Sequence, residues 1–203
     1  MARASSLLGL PAVYRTFRAL LGGPAAWEVY VTQYVKPRMG EKVLDLGCGP
    51  ADVLDYLPSL NYTGLDNNPR YIQSAQKRFA HKGRFWCKDL SAAALGAERG
   101  TFDLVLATGI VHHLDDQQAG TMFDLALEAL RPAGRCITFD GCYALGQSAI
   151  AQWMLGNDRG RFVRTEGEYR RLASARFRNV ECHVRHDLLR IPYTHCVMRC
   201  GNQ

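Results

Sequence analysis

The chain has 203 residues, of which 47% are hydrophobic and 22% charged, values that are ordinary for one globular domain with a substantial core. No apolar run approaches the length needed to span a bilayer, so no transmembrane segment is predicted. The formal net charge is +6, which favours nucleic acid, a membrane surface or an anionic small molecule, or else reflects a solvated face. The seven scattered cysteines indicate reduced thiols and a cytoplasmic location.

Residues 1–40 precede the first predicted strand and carry apolar side chains at helical spacing. Only arginines supply charge before Glu28, a composition that also suits a mitochondrial transit segment or a membrane-surface helix. An apolar stripe is equally what packing against a domain requires, and we favour that interpretation, a helical lid. The stripe consists of Leu7, Leu8, Leu10, Val13, Tyr14, Phe17, Leu20 and Leu21.

From residue 41 onward, strand and helix patterns alternate, which predicts a parallel sheet with crossover helices in a single domain. A capping-box pattern at Thr165 and Glu168 predicts a late helix over residues 166–174, and two further strands are expected at 177–184 and 193–200. The other strands are expected near 42–46, 62–66, 83–87, 102–107 and 134–140, and the other helices near 50–57, 69–80, 117–131 and 145–154.

The most informative motif is Gly-x-Gly directly after the first strand, formed by Gly47 and Gly49. Such a turn lets the backbone approach a ligand closely, at the end of a parallel strand where nucleotide-type ligands bind. A dinucleotide fingerprint needs a third glycine three positions after Gly49, where this chain has Asp52. The motif therefore points to a nucleotide-type cofactor other than a dinucleotide.

Five ordered motifs resemble those of the class I S-adenosylmethionine-dependent methyltransferases. They are Val43-Leu44-Asp45-Leu46-Gly47-Cys48-Gly49, Tyr62-Thr63-Gly64-Leu65-Asp66, Trp86-Cys87-Lys88-Asp89-Leu90, Phe102-Asp103-Leu104-Val105-Leu106-Ala107 and Leu130-Arg131-Pro132-Ala133-Gly134, in which Ala133 replaces the family's usual Gly. The resemblance implies an α/β fold, a Rossmann-like, seven-stranded, mostly parallel sheet with helices on both faces and an antiparallel last strand. It also implies a lid over residues 1–40 and a methyltransferase domain over 41–203.

The resemblance implies S-adenosyl-L-methionine as cofactor. Asp66 would accept from the ribose hydroxyls, Asp89 would accept from the adenine amine, and Asp45 would face the ammonium, directly or through water. The glycine loop would offer backbone N–H groups at a helix start. The full expected cofactor set is Asp45, Gly47, Cys48, Gly49, Asp66, Asn67, Asp89, Leu90 and Thr108.

Catalytic candidates follow the fourth and fifth strands. His112 and His113 belong to a His-His-Leu-x-Asp pattern that resembles a subgroup of small-molecule methyltransferases, and Asp140 ends the next strand. A histidine there could take a proton from the acceptor, or it could merely orient the loop. We favour His113 as the base, because in similar sequences the second histidine of the pair is the more regular. Asp140 would bind the acceptor or act as base itself.

The acceptor side is less well defined. Residues 147–164 are expected to cover the acceptor, with the Leu155–Gln203 region holding ten arginines against five acids. An anionic group on the acceptor would suit those arginines. The candidate acceptor-binding residues are Tyr14, Trp153, Arg159, Arg161 and Arg164. No metal is predicted, because the histidines and cysteines near the C-terminus lack a standard zinc spacing.

The sequence therefore predicts an enzyme that methylates oxygen or nitrogen of a small, anionic metabolite. Two alternatives stay open: an RNA-directed methyltransferase that uses the basic C-terminal segment, or a membrane-surface partner protein of methyltransferase fold. Nucleic acid is the weaker alternative, because no appended RNA-binding module is visible. Neither the methyl acceptor nor the oligomeric state follows from the motifs.

Overall fold

A central sheet organises the molecule, which a computed structural model describes for residues 23–91, 95–158 and 160–202. In this part of the chain seven strands follow the order β3-β2-β1-β4-β5-β8-β7, and the short β6 pairs with β5. Only β8 runs antiparallel to its neighbours. The strands are β1 Lys42–Leu46, β2 Asn61–Asp66, β3 Gly83–Cys87, β4 Phe102–Thr108, β5 Leu130–Tyr143, β6 Arg164–Thr165, β7 Asn179–Arg185 and β8 His195–Gly201. The predicted fold class is confirmed, with β6 as an addition.

Helices cover both faces of the sheet, because side chains of each buried strand alternate between two cores. One core contains Leu44 and Leu46 of β1 and is closed by α3 and α5. The other contains Val43 and is closed by α1 and α2. The helices are α1 Gly23–Val29, α2 Pro69–Phe79, α3 Asp116–Ala129, α4 Ala149–Gly156 and α5 Glu166–Ser174, and a π-helical turn Tyr30–Val35 continues α1. None of the described helices is long and apolar enough to cross a membrane.

Local capping explains where several helices begin. The predicted capping box of α5 is present, with Thr165 and Glu168 exchanging side-chain and backbone hydrogen bonds. Asp115 and Gln118 form a second such box at α3, and Asn68 caps α2 directly before Pro69. Each arrangement satisfies N–H groups that a helix start leaves open.

Two helix predictions need correction. Over 50–57 the chain makes only a 3₁₀ turn, Asp52–Asp55, because Ala51 adopts a left-handed backbone with φ 58° and interrupts any helix starting at Pro50. The helix predicted to reach residue 131 ends at Ala129, since Leu130 is already extended and begins β5.

The predicted lid over residues 1–40 is described only in part. Residues 1–22 lie outside the described residues. In the remainder, Trp27, Tyr30, Val31 and Val35 pack into the second core. The division of the chain into a lid and a domain stays a prediction.

Candidate active site

The glycine loop after β1 opens toward solvent on one side only. Both glycines have left-handed backbones, with φ 67° at Gly47 and φ 54° at Gly49. A Cβ atom at Gly47 would collide with the side chain of Ile110, whereas one at Gly49 would meet nothing within 4 Å. Gly49 therefore borders open space beside the ends of β1 and β2.

The amides of this loop are engaged within the protein, contrary to the sequence prediction. The N–H groups of Gly47 and Cys48 donate to Leu65 O at 2.8 and 3.1 Å, and that of Gly49 donates to Asp66 Oδ2 at 2.9 Å. No helix starts here either, since the following turn is 3₁₀. The loop offers space rather than hydrogen-bond donors, and the Cys48 side chain is buried against Gly64.

Asp66 is held rigidly at the end of β2. Its Oδ1 accepts from the Asn68 N–H at 2.8 Å, while Oδ2 accepts from Gly49. An ionised carboxylate has further lone pairs on both oxygens, so it can still accept from a pair of hydroxyls. Asn67 and Asp89 lie beside it, with 3.5 Å between Asn67 Nδ2 and Asp89 Oδ1. Asp89 is exposed and Leu90 half-buried.

Asp45 is a buried acid with one oxygen unused. The hydroxyl of Tyr62 donates to Asp45 Oδ2 at 2.6 Å, whereas Oδ1 has no partner among the described residues. Burial raises the pKa of Asp45 to about 7. A cationic group placed beside Oδ1 would restore the charged form, and this fits the ammonium of S-adenosylmethionine.

Tyr30, from the turn after α1, packs at the carboxyl end of β4. Its hydroxyl lies 3.2 Å from Thr108 Oγ1 at the end of β4, and its ring stacks on Phe139 with centroids 4.8 Å apart. Tyr30 is fully buried. The predicted cofactor residue Thr108 thus sits beneath an N-terminal aromatic group.

His112 is held by Asp140 at the ends of β4 and β5. The distance from His112 Nδ1 to Asp140 Oδ1 is 2.8 Å, and the backbone N–H of His112 donates to the same oxygen at 3.2 Å. Both side chains are buried. A carboxylate only accepts, so Nδ1 carries a proton and Nε2 is the basic nitrogen.

Asp158 faces that second nitrogen. Its Oδ1 lies 3.7 Å from His112 Nε2, and it is fixed by Tyr193, whose hydroxyl donates to Oδ2 at 2.7 Å. Burial alone would raise the pKa of Asp158, but hydrogen bonds from Tyr193 and Gly160 lower it overall. Burial likewise disfavours charge on His112, yet Asp140 and Asp158 outweigh it and raise the His112 pKa.

His113 occupies a different environment. It is exposed, with its ring centroid 4.2 Å from that of His112. The buried contact with a carboxylate belongs to His112, so the geometry favours the first histidine over the one preferred from sequence.

Arg164 has a structural task instead of binding an acceptor. It is buried, and its guanidinium makes hydrogen bonds to Asp116, Phe162 O, Val111 O and Leu114 O. These bonds use all five guanidinium N–H groups. Val111 and Leu114 flank the two histidines, so Arg164 fixes the histidine turn.

Two of the other predicted acceptor-binding residues are exposed. Trp153 on α4 is 68% exposed and Arg161 is exposed. Tyr14 and Arg159 lie outside the described residues. Within the described residues no group of His, Cys, Asp and Glu is arranged to hold a metal ion.

Sequence reasoning missed four polar residues here: Tyr30, Tyr62, Asp158 and Tyr193. Tyr62 is the second residue of β2, seventeen positions from its partner Asp45, and Tyr193 is thirty-five positions from Asp158. No local pattern links residues so far apart. The one available signal is Asp158 itself, an acid standing among arginines.

Part of the chain is similar in sequence to known methyltransferases. Residues 43–134 match the family model described as a methyltransferase domain. A ubiquinone/menaquinone biosynthesis C-methyltransferase of Desulfotalea psychrophila is 27% identical over 124 residues, covering 59% of this chain and 49% of its own length. The chain spans about half, or less, of the length of the curated relatives it matches.

Solved structures share the fold. A TehB-like S-adenosylmethionine-dependent methyltransferase of Corynebacterium glutamicum has a TM-score of 0.62 at 19% identity, covering 87% of this chain and 88% of that one. Phosphoethanolamine N-methyltransferase 2 of Haemonchus contortus, in complex with S-adenosyl-L-methionine, has a TM-score of 0.67 at 14% identity, covering 87% and 52%. These structures show that the chain shares its fold with S-adenosylmethionine-dependent methyltransferases, and residues 43–134 are similar in sequence to the methyltransferase domain.

Asp45→Asn should remove a pH dependence from cofactor binding. The pKa of Asp45 is raised to about 7, so below that pH the carboxyl must lose its proton before it can pair with a cation. The affinity for the cofactor should therefore fall about tenfold for each pH unit below 7. Titration calorimetry with S-adenosylhomocysteine should show this slope in wild type. The Asn variant should bind more weakly at pH 8, with little slope.

The raised pKa of Asp45 also determines how the stability of the fold depends on pH. Folding favours the protonated form of a carboxyl whose pKa is raised, so the contribution of Asp45 to stability declines as pH rises from about 4 to 7. Without ligand, Asp45→Asn should therefore melt higher than wild type at pH 8. Equal melting temperatures would show that folding does not raise the pKa of Asp45, and parallel pH slopes of ligand binding would show that Asp45 faces no cation.

Proposed function

We propose that the chain transfers a methyl group from S-adenosylmethionine to oxygen or nitrogen of a small acceptor, with His112 as general base. The observation that carries this proposal is the 2.8 Å contact between His112 Nδ1 and Asp140 Oδ1 in a buried setting. It supports a fixed tautomer and leaves Nε2 as the proton acceptor.

The cofactor supplies a methyl group already activated on a sulfonium. The protein has to align the acceptor, exclude water and remove a proton. When His112 takes the acceptor's proton it becomes an imidazolium between two carboxylates, Asp140 and Asp158. Opposite charges this close favour the charged form, so both acids would stabilise the protonated base.

The proposed cofactor contacts follow from the ends of β1 to β4. Asp66 would take the ribose hydroxyls, Asp89 the adenine amine and Asp45 the ammonium. Gly49 would give the ligand room, while Thr108 and Tyr30 close the other side. The unused oxygen of Asp45 and the free lone pairs of Asp66 support these roles.

The direct test combines binding and turnover. S-adenosylhomocysteine should bind with a measurable heat, and labelled methyl groups should appear in an acceptor from a panel of hydroxyl and amine metabolites. A panel of acidic carbon acceptors should accompany it, since the Desulfotalea relative is a C-methyltransferase. Preference for NAD over the methyl donor would overturn the proposal.

An anionic group on the acceptor is the finer part of the proposal. With Arg164 fully occupied, the charge would have to be met by Arg161 and Arg159. Changing both to Gln should raise KM for the acceptor about tenfold, with kcat and cofactor affinity unchanged, as for lost uniform binding.

Arg178→Gln is the matched control, because Arg178 is exposed like Arg161 but lies just before β7. Steady-state kinetics of the two variants would decide the point. If KM is the same in wild type, the double variant and the control, Arg159 and Arg161 belong to a solvated face.

A further inference from the structure

Exposed apolar side chains are concentrated in one short segment. Among the described residues five large apolar side chains are exposed. Four of them lie between residues 145 and 162, namely Leu145 (102%), Ile150 (59%), Trp153 (68%) and Phe162 (38%), whereas Met39 stands apart. Apolar surface gathered in this way marks an interaction site more often than a scattered residue does.

Helix α4 forms the centre of this segment. Ala151 and Leu155 of α4 are buried, while Ile150 and Trp153 are three positions apart and share the outer side. Gln152 is the single polar side chain in its eight residues. A helix that is apolar on all sides is normally buried, and the described part of the chain leaves the outer side of α4 uncovered.

The segment itself carries little charge, and Glu166 lines the same surface depression as Leu145 and Gln152. Residues 144–157 contain no ionisable side chain. Beyond them, Asp158 is held by Tyr193 near His112 and Arg164 is buried. Arg161 is the exposed charge that the described part of this segment presents, and the whole chain carries +6.

The segment also reaches the active site. After α4 it passes over His112, where the Phe162 N–H donates to His112 O at 2.9 Å and Gly160 packs against the imidazole ring. The segment that carries α4 is therefore in direct contact with the histidine turn through Gly160 and Phe162.

We propose that Leu145, Ile150, Trp153 and Phe162 form a docking surface for a bilayer that contains anionic lipid. Lipid supplies apolar contact without needing hydrogen-bonding partners, which suits a stretch lacking ionisable groups. Trp prefers the boundary between apolar and wet regions, and arginine at its edge is attracted to anionic headgroups.

The experiment is co-sedimentation of the full chain with vesicles. One set contains phosphatidylcholine alone, and the other contains about one third phosphatidylglycerol, to supply the surface charge. Wild type should bind the anionic vesicles, and binding should weaken with salt. The double variant Ile150→Ser with Trp153→Ser should bind at least about tenfold more weakly, since two large side chains lose their apolar contact.

Met39→Ser is the matched control, because Met39 is 83% exposed and lies away from the segment. It should bind vesicles like wild type, and both variants should keep their affinity for S-adenosylhomocysteine, which excludes misfolding and tests the cofactor site separately. Brominated lipid should quench wild-type fluorescence more than that of Trp153→Phe.

Three results would overturn the proposal: no sedimentation of wild type with anionic vesicles, equal binding by the double variant, or equal loss in Met39→Ser. A concentration-dependent dimer in ultracentrifugation that the double variant abolishes would assign the surface to a second copy of the chain, and would also overturn it.

Discussion

Replacing His112 by Asn should lower kcat for methyl transfer about a thousandfold, within the range for loss of a general base. The Asn amide can still donate to Asp140 from near the position of Nδ1, so the local structure should persist. What is lost is Nε2, the nitrogen that takes the proton. Melting temperature and affinity for S-adenosylhomocysteine should stay close to wild type.

His113→Asn is the matched control, because the two histidines are adjacent and His112 is the one whose Nδ1 lies 2.8 Å from the buried Asp140 carboxylate. Its kcat should stay near wild type in the same assay. If His113→Asn is the impaired variant, the preference drawn from sequence was right and the Asp140 contact is structural. If both stay active, alignment alone carries the reaction.

The pH profile gives an independent readout of His112. The base must be neutral, so activity should fall as pH drops through its raised pKa. Asp158→Asn removes an anion that stabilises the imidazolium, so the pKa should fall and the acid limb should move to lower pH. If the acid limb is unchanged in Asp158→Asn, Asp158 does not influence the pKa of the catalytic base.

The fold was predictable from sequence because its signals are local. Alternating apolar patterns predict the strands. The capping-box pattern of Thr165 and Glu168 predicts the start of α5 from only four residues. The pair of His112 and Asp140 could be predicted from sequence only in part. Both His112 and Asp140 follow strand ends and so were candidates, but choosing between His112 and His113 depends on which ring turns toward β5.

Long-range contacts account for the other differences. Arg164 looked like an anion ligand because nothing in its neighbourhood reveals that Asp116 and the histidine-turn carbonyls consume its donors. The helix predicted over 50–57 does not form because Ala51 has a left-handed backbone, and an alanine in the sequence does not indicate that conformation. In both cases tertiary structure overrides a reasonable local preference.

Gly49→Val should abolish binding of S-adenosylhomocysteine, with Kd raised by more than about a hundredfold. The new side chain would fill the open space beside Asp66 that we assign to the ligand. The domain should still fold, because no protein atom lies within 4 Å of the added Cβ and neighbouring Ala51 adopts a similar backbone with φ 58°. Left-handed backbone at a branched residue should cost about 1–3 kcal/mol of stability.

Gly40→Val separates that backbone cost from occupation of the site. Gly40 also has a left-handed backbone, with φ 79°, and open space around its Cβ, but it precedes β1 at the opposite end of the strand from Gly49. Its variant should melt lower by a similar amount and bind the ligand normally. Gly47→Val should differ from both, because its side chain would displace Ile110 at the start of the histidine turn and destabilise the fold itself. Calorimetry and thermal melts of the three variants give the decisive comparison: if Gly49→Val binds as well as Gly40→Val, the cofactor does not lie against this loop, and the placement of the site beside Asp66 is wrong.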